Sequence, residues 1–148
     1  MKFDAVRLEE SAGKIMSESE TRTREHPETR FAASEDRFGL EDQFRLLMTE
    51  PDTSRKGHRQ KALLREGPVT LAIYAFEAGS RLPDHVVDGV VLIHVLEGHL
   101  QVTTDTETHD MQAGHVLRLS AGVRHDVAAI SPSRMLLTVV LEGPKSHP

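Results

Sequence analysis

The 148-residue chain contains no cysteine. That excludes disulfide staples and thiolate metal ligands, and nothing in the composition points to an oxidising compartment. No apolar run approaches the ~20 residues that a membrane-crossing helix requires, and the N-terminal MKFDAVRLEESAGK lacks the apolar stretch of a secretory signal. The strand-rich part carries no cluster of Lys and Arg, and net charge is -5, so the electrostatic footprint of nucleic-acid binding is missing. The motifs of other chemistries are missing too: no G-x-S-x-G elbow, no phosphate-cradling glycine loop, no H-E-x-x-H and no paired carboxylates in an apolar setting. The expectation is a soluble cytoplasmic protein with no nucleic-acid or membrane partner, acting on or with a small molecule.

The length suits one domain with a sizeable core. Charge is unevenly spread. Residues 1–55 hold 22 of the 41 charged side chains, and Glu9-Glu10, Ser17–Glu20 and Thr21–Glu28 are too polar to offset the entropy cost of ordering. This predicts a charged N-terminal extension over 1–55, partly disordered. Within it Leu40, Phe44, Leu47 and Met48 recur at helical spacing, giving a short helix near 40–49 with one apolar face, ended before Pro51. Such a face would pack on the outside of a barrel or on a second copy, or close over a barrel mouth as a lid.

From residue 56 to 143 the chain changes to short β-like runs separated by turn signals. Lys61–Arg65 is followed by Gly67-Pro68, and Val69–Glu77 alternates. Val90–Glu97 is nearly continuously apolar, and Leu100–Thr104 alternates again. His115–Leu119 and Arg134–Glu142 complete the set, and 144–148 is a short tail. About eight such strands with little helical patterning imply an all-β sandwich or jelly-roll barrel. Exposed strand edges favour a homodimer.

Two stretches, Gly79–Gly98 and Gly114–Ala129, each run from a glycine to a histidine in a turn-rich setting, His85 and then His125. Their spacing resembles the two motifs of the cupin superfamily. The first motif is Gly, five residues, His-x-His, three or four residues, Glu, six residues, Gly. Gly79, His85 and Gly98 match it, while Val87 stands for the second His and Val91 for the Glu. The second motif is Gly, five residues, Pro-x-Gly, two residues, His, three residues, Asn. Gly114, Gly122 and His125 match it, with Ser120 for the Pro and Ala129 for the Asn. The resemblance spans Gly57 to Glu142 and implies a cupin-like jelly-roll β-barrel whose motif residues point into the lumen.

A complete site of that family would use three His and one Glu; here two His remain. Metal binding by His85 and His125 with water alone would be far weaker than by four anchored ligands, so no cofactor is expected. The alternative is a divalent transition metal (Fe, Mn, Ni, Zn or Cu) with His94, His58, Asp84 or Asp88 recruited as a third ligand. On the β period of two, Val91 shares a face with Ile93 and Val95, and His94 lies on the other face unless a bulge intervenes. A polar side chain inside an apolar strand needs a partner, so His94 is either satisfied structurally or a pocket group. The candidate ligand-binding set is therefore His85, His125, Val87, Val91, Ile93 and His94. Three readings stay open: a small-molecule-binding barrel, a metal-dependent dioxygenase, isomerase or lyase, and a sensor that contacts a partner through its extension.

Overall fold

The computed structural model describes residues 34–51 and 57–143. The expectations for 1–33 and for the 144–148 tail fall outside the described residues. One helix, α1 (Leu40–Thr49), precedes nine strands. They are β1 (His58–Glu66), β2 (Val69–Phe76), β3 (Arg81–His85), β4 (Gly89–Glu97), β5 (His99–Thr104), β6 (Thr108–Gln112), β7 (Val116–Leu119), β8 (His125–Ala129) and β9 (Ser133–Leu141).

All pairings are antiparallel. They form a five-stranded sheet in the order β1-β2-β9-β4-β7 and a four-stranded sheet in the order β3-β8-β5-β6. Consecutive strands repeatedly change sheet, as in a jelly roll, and the two inner faces enclose one core. Burial follows the strand period of two. On β4, Gly89, Val91, Ile93 and Val95 are buried and the residues between them are half-buried; on β9 Ser133, Met135, Leu137 and Val139 play the same part. Tyr74, Phe76, Leu100, Val102 and Val127 complete the interior.

Three strands were not marked in the sequence: β3, β6 and β8, the last read only as a turn-rich stretch carrying His125. In β3, Pro83 cannot donate to a ladder, and it sits where the β3–β8 register is interrupted between Leu82 and His85, on an edge strand. In β6, THDMQ buries only Met111 deeply, because it too is an edge strand with one face in solvent. β1 pairs with β2 of its own chain, from His58↔Phe76 to Glu66↔Val69.

Helix α1 packs on the outer face of the five-stranded sheet. Phe44 and Leu47 are buried together with Ile73, the one outward residue of β2 that is fully covered, and Leu40, Leu63, Ala75, Leu96 and Leu136 pack around them. Met48, expected on the same face, is 49% exposed because it lies past the sheet contact at the last turn. Two arginines fasten the helix. The Arg134 guanidinium lies 4.7 Å from the centre of the Phe44 ring and 3.3 Å from Glu41. Arg59 on β1 donates to the carbonyls of Leu47, Met48 and Glu50 at 3.2, 3.2 and 2.6 Å, satisfying the acceptors that a helix C-terminus leaves open.

Candidate functional site

The two histidines at motif positions meet. His85 is the last residue of β3 and His125 the first of β8, and the register sets them directly opposite each other. Both point inward: burial on β8 alternates from His125 through Val127 to Ala129, and Leu82 precedes His85 on the buried side of β3. Their ring centres are 4.2 Å apart with planes at 67°, an edge-to-face pair. His125 is 2% exposed and His85 8%.

Each ring is fixed by the backbone two residues before it. His85 Nδ1 donates to the Pro83 carbonyl at 2.6 Å and His125 Nδ1 to the Val123 carbonyl at 3.0 Å. A carbonyl oxygen only accepts, so Nδ1 carries the proton and the lone pair of each neutral ring is on Nε2. Burial pushes the His125 pKa below its ordinary value, favouring the neutral ring. The bond to Val123 and the carboxylates of Asp126 and Asp84 act in the other direction and do not overcome it. Those carboxylates are themselves held by cations: Asp126 pairs with Arg81, and Asp84 lies 3.7 Å from Arg124.

Val87 and Val91 are buried in the same core cluster, and Val87 is tied to the β7–β8 turn by the Gly122 N–H donating to its carbonyl at 2.9 Å. Ile93 lies two residues further along the inner face of β4. Val87, Val91 and Ile93 are 4%, 2% and 1% exposed, so the barrel end beside the histidines is filled by side chains rather than open to water. His94 is not brought to this place. It lies on the outer face of the five-stranded sheet, paired with Leu136 and Val116.

The proposed third ligands are placed as follows. Asp84 is exposed and faces Arg124. Asp88 is exposed. His58 stands at the start of β1, its ring 6.0 Å from Tyr74 and 5.8 Å from Phe76. Among the described residues no group of three or more His, Asp or Glu is placed to hold a metal ion. The fold family implies a metal here, but the donor set does not fit one: the positions that would supply the other donors are valines, which offer no lone pair.

Sequence reasoning passed over Thr104 and Arg124. Thr104 is the β5 residue opposite His125, and its hydroxyl accepts from the Thr106 and Glu107 amides at 3.2 and 3.3 Å, fixing the turn beside the pair. Only the cross-strand register reveals this, since no spacing motif links residues 104 and 125. Of the remaining histidines, His99 and His109 are partly covered and paired, and His115 is exposed, its Nδ1 accepting from the Gln112 amide. His99 Nε2 lies 2.6 Å from Asp110, which together with Gln101 holds that carboxyl below its ordinary pKa. His109 lies 3.3 Å from Glu107. No helix among the described residues is long and apolar enough to cross a membrane.

The model of a cupin domain matches residues 72–141, which include both histidines and both valines. Solved structures show the same fold at low identity. A conserved protein of unknown function, SPY1581 from Streptococcus pyogenes, is 22% identical, with a TM-score of 0.57 over 62% of this chain and 80% of that one. An RmlC-like cupin from Shewanella frigidimarina is 18% identical, with a TM-score of 0.60 over 73% and 93%. Salicylate 1,2-dioxygenase from Pseudoaminobacter salicylatoxidans is 16% identical, with a TM-score of 0.63 over 70% of this chain and 34% of that one. No curated protein sequence matches the chain. With the motif spacing, the matched domain and the two-sheet topology in agreement, residues 72–141 form a cupin domain within this jelly-roll barrel.

Proposed function

We propose that this barrel binds a small organic molecule at the His85–His125 end without a metal. The observation that carries the reading is the buried edge-to-face pair in which both Nδ1 atoms are committed to backbone carbonyls. A neutral imidazole so fixed is an oriented acceptor at Nε2, and a ligand hydroxyl or N–H would donate to His125 while its apolar body packs on Val87, Val91 and Ile93. These side chains are almost fully buried, so the ligand is small. His94, on the outer face, has no part in it.

The test is a thermal-shift panel of small phenols, carboxylic acids and lactams on wild type and His125→Gln, followed by long-range 1H–15N spectra of the imidazoles. The expected result is a compound that raises the melting temperature of wild type only and moves the His125 Nε2 resonance. A hit retained in His125→Gln would overturn the reading. So would stoichiometric metal in chelator-free protein that disappears in His85→Ala.

A second reading, a metal-dependent cupin enzyme, draws on one feature. Histidines whose Nδ1–H bonds a backbone carbonyl are oriented as metal-binding histidines are. The likeness to salicylate 1,2-dioxygenase is a likeness of fold, which hosts unrelated chemistries and does not carry that activity over. The same elemental analysis separates the two readings.

A further inference from the structure

Among the described residues, the His85–His125 end of the barrel has its hydrogen-bond donors committed. His85 Nδ1 donates to the Pro83 carbonyl and His125 Nδ1 to the Val123 carbonyl. Thr104, opposite His125 on β5, directs its hydroxyl to the Glu107 carbonyl at 3.3 Å. The Gly122 amide, in the turn before β8, donates to the Val87 carbonyl. The side chains further inward are apolar. The next row of the four-stranded sheet is Leu82–Val127–Val102, and Val87, Val91 and Ile93 stand in the same core. What His125 presents to a ligand is Nε2, a lone pair without a proton.

That arrangement sorts ligands by charge. A carboxylate taken out of water needs donors or a cation where it is buried, and without them it loses its hydration uncompensated. Two negative charges act on the same place. Asp126 and Asp84 both favour the protonated form of His125, so both oppose an anion beside it. The adjoining arginines do not offset this, because Arg81 pairs with Asp126 and Arg124 lies 3.7 Å from Asp84, each arginine more than half exposed. A cation gains from the two carboxylates but meets the same desolvation that favours a neutral His125. A neutral hydroxyl or N–H bears neither cost and supplies the proton that Nε2 lacks.

We infer that this end of the barrel selects neutral donor compounds, small alcohols, phenols or lactams with a compact apolar body, against carboxylates of the same size, and that His125 Nε2 makes the selection. The inference rests on the reading of this end as a metal-free ligand site and adds the charge and hydrogen-bonding class of what it takes. Specificity is a difference between two affinities, and here the difference comes from the donors the site withholds as much as from the acceptor it offers.

The test uses matched compounds on the full, chelator-treated chain at about pH 7.5, where carboxylic acids are ionised. They are benzyl alcohol, benzyl methyl ether and benzoate, with δ-valerolactam and its N-methyl form as a second donor pair. Titrations followed through the imidazole 15N spectra give affinities and the ring contacted. Benzyl alcohol or the lactam should bind at least about tenfold more tightly than benzoate. Each should bind at least about threefold more tightly than its own methylated analogue, which has lost the donor. Only the donor compounds should move the His125 Nε2 resonance. His125→Gln puts an amide that can donate where the lone pair was, so the preference for alcohol over benzoate should vanish. Should that variant not fold, the methylated analogues on wild type decide the matter. Benzoate that binds as tightly as the alcohol and moves His125 overturns the inference while the ligand-site reading stands. A methylated analogue that binds as well as its parent does the same, because apolar packing and not the lone pair would then select. If no compound of either class moves His125, the ligand-site reading falls and the inference with it.

Discussion

His85 and His125 are 40 residues apart in the chain and face each other across β3 and β8 with ring centres 4.2 Å apart. Two imidazoles that close, nearly dry and committed through Nδ1, have no room for two positive charges. The pair therefore does not carry two charges at once, and burial disfavours the charged form of His125.

The first prediction concerns that pH dependence. Burial lowers the folded-state pKa of His125 below its ordinary 6.5, while the unfolded chain keeps the ordinary value. As pH falls below about 6.5 the unfolded state takes up the proton first, so stability falls between that pH and the folded pKa; above it the contribution is fully present. Asp84 and Asp126 soften the effect, and Arg124 and Arg81 offset them. Urea unfolding from pH 7.5 down to 4.5 should show this slope in wild type and a shallower one in His125→Gln. Equal slopes would mean that the ring is not desolvated in the fold. Asp110, whose lowered pKa would give a similar loss, titrates below this window.

The second prediction restores the donors. Val87→His with Val91→Glu returns both motif positions to their family types, taking the count of candidate donors from two to four. Elemental analysis and calorimetric titration should show near-stoichiometric first-row metal in the double variant and tenfold or weaker binding in wild type. Without metal the variant should be less stable by several kcal/mol, because Val91 is buried and a carboxylate there loses its hydration. Added metal should recover much of that loss. A variant that folds yet gains no metal would show that the two histidines are not aimed at a common ligand point.

How far the sequence reaches is visible in these same residues. The apolar run of β4 and the alternation of β5 announce a buried strand and a half-buried one, and the glycine-to-histidine spacing marks both site histidines. The spacing does not say that the two histidines touch, because the β3–β8 pairing is a long-range crossover set by topology. Nor does it find β3, whose Pro83 argues against a strand until its edge position is known, or β6, whose outer face is polar. His94 was legible as an outward residue from the period of two alone. Met48 shared a helical face with Phe44 and Leu47, yet only the end of the sheet contact decides that it stays in water.

The third prediction tests how α1 is held. Arg59 is the residue from β1 that reaches the helix C-terminal carbonyls, and Phe44 is the side chain the helix buries most completely. Arg59→Ala should cost about 1–2 kcal/mol and speed amide exchange over Leu47 to Glu50, with little change in the strands. Phe44→Ala should cost about 3–5 kcal/mol, by cavity formation and loss of the Arg134 contact. Hydrogen exchange separates local release of the helix from loss of the barrel. Uniformly faster exchange in Arg59→Ala would mean that helix and barrel unfold as one unit.

The fourth prediction compares two glycines with the same backbone and different surroundings. Gly98, between β4 and β5, and Gly114, before β7, have φ of 90° and 93°, in the left-handed region that side chains rarely adopt. A Cβ on Gly98 would lie 2.3 Å from the Pro132 carbonyl oxygen and 2.3 Å from Ser133 Oγ. A Cβ on Gly114 would meet nothing within 4 Å. Backbone strain is common to both, at about 1–2 kcal/mol. The clash belongs to Gly98 alone, and it falls on a serine that already accepts from the His99 amide at 2.9 Å and donates to the Ser131 carbonyl at 2.7 Å. Gly98→Ala should therefore cost at least about 2 kcal/mol more than Gly114→Ala in denaturant unfolding. Equal costs would mean that the 131–133 turn yields freely. In that case the hydrogen bonds joining Ser133 to His99 are not what fixes the junction between the two sheets.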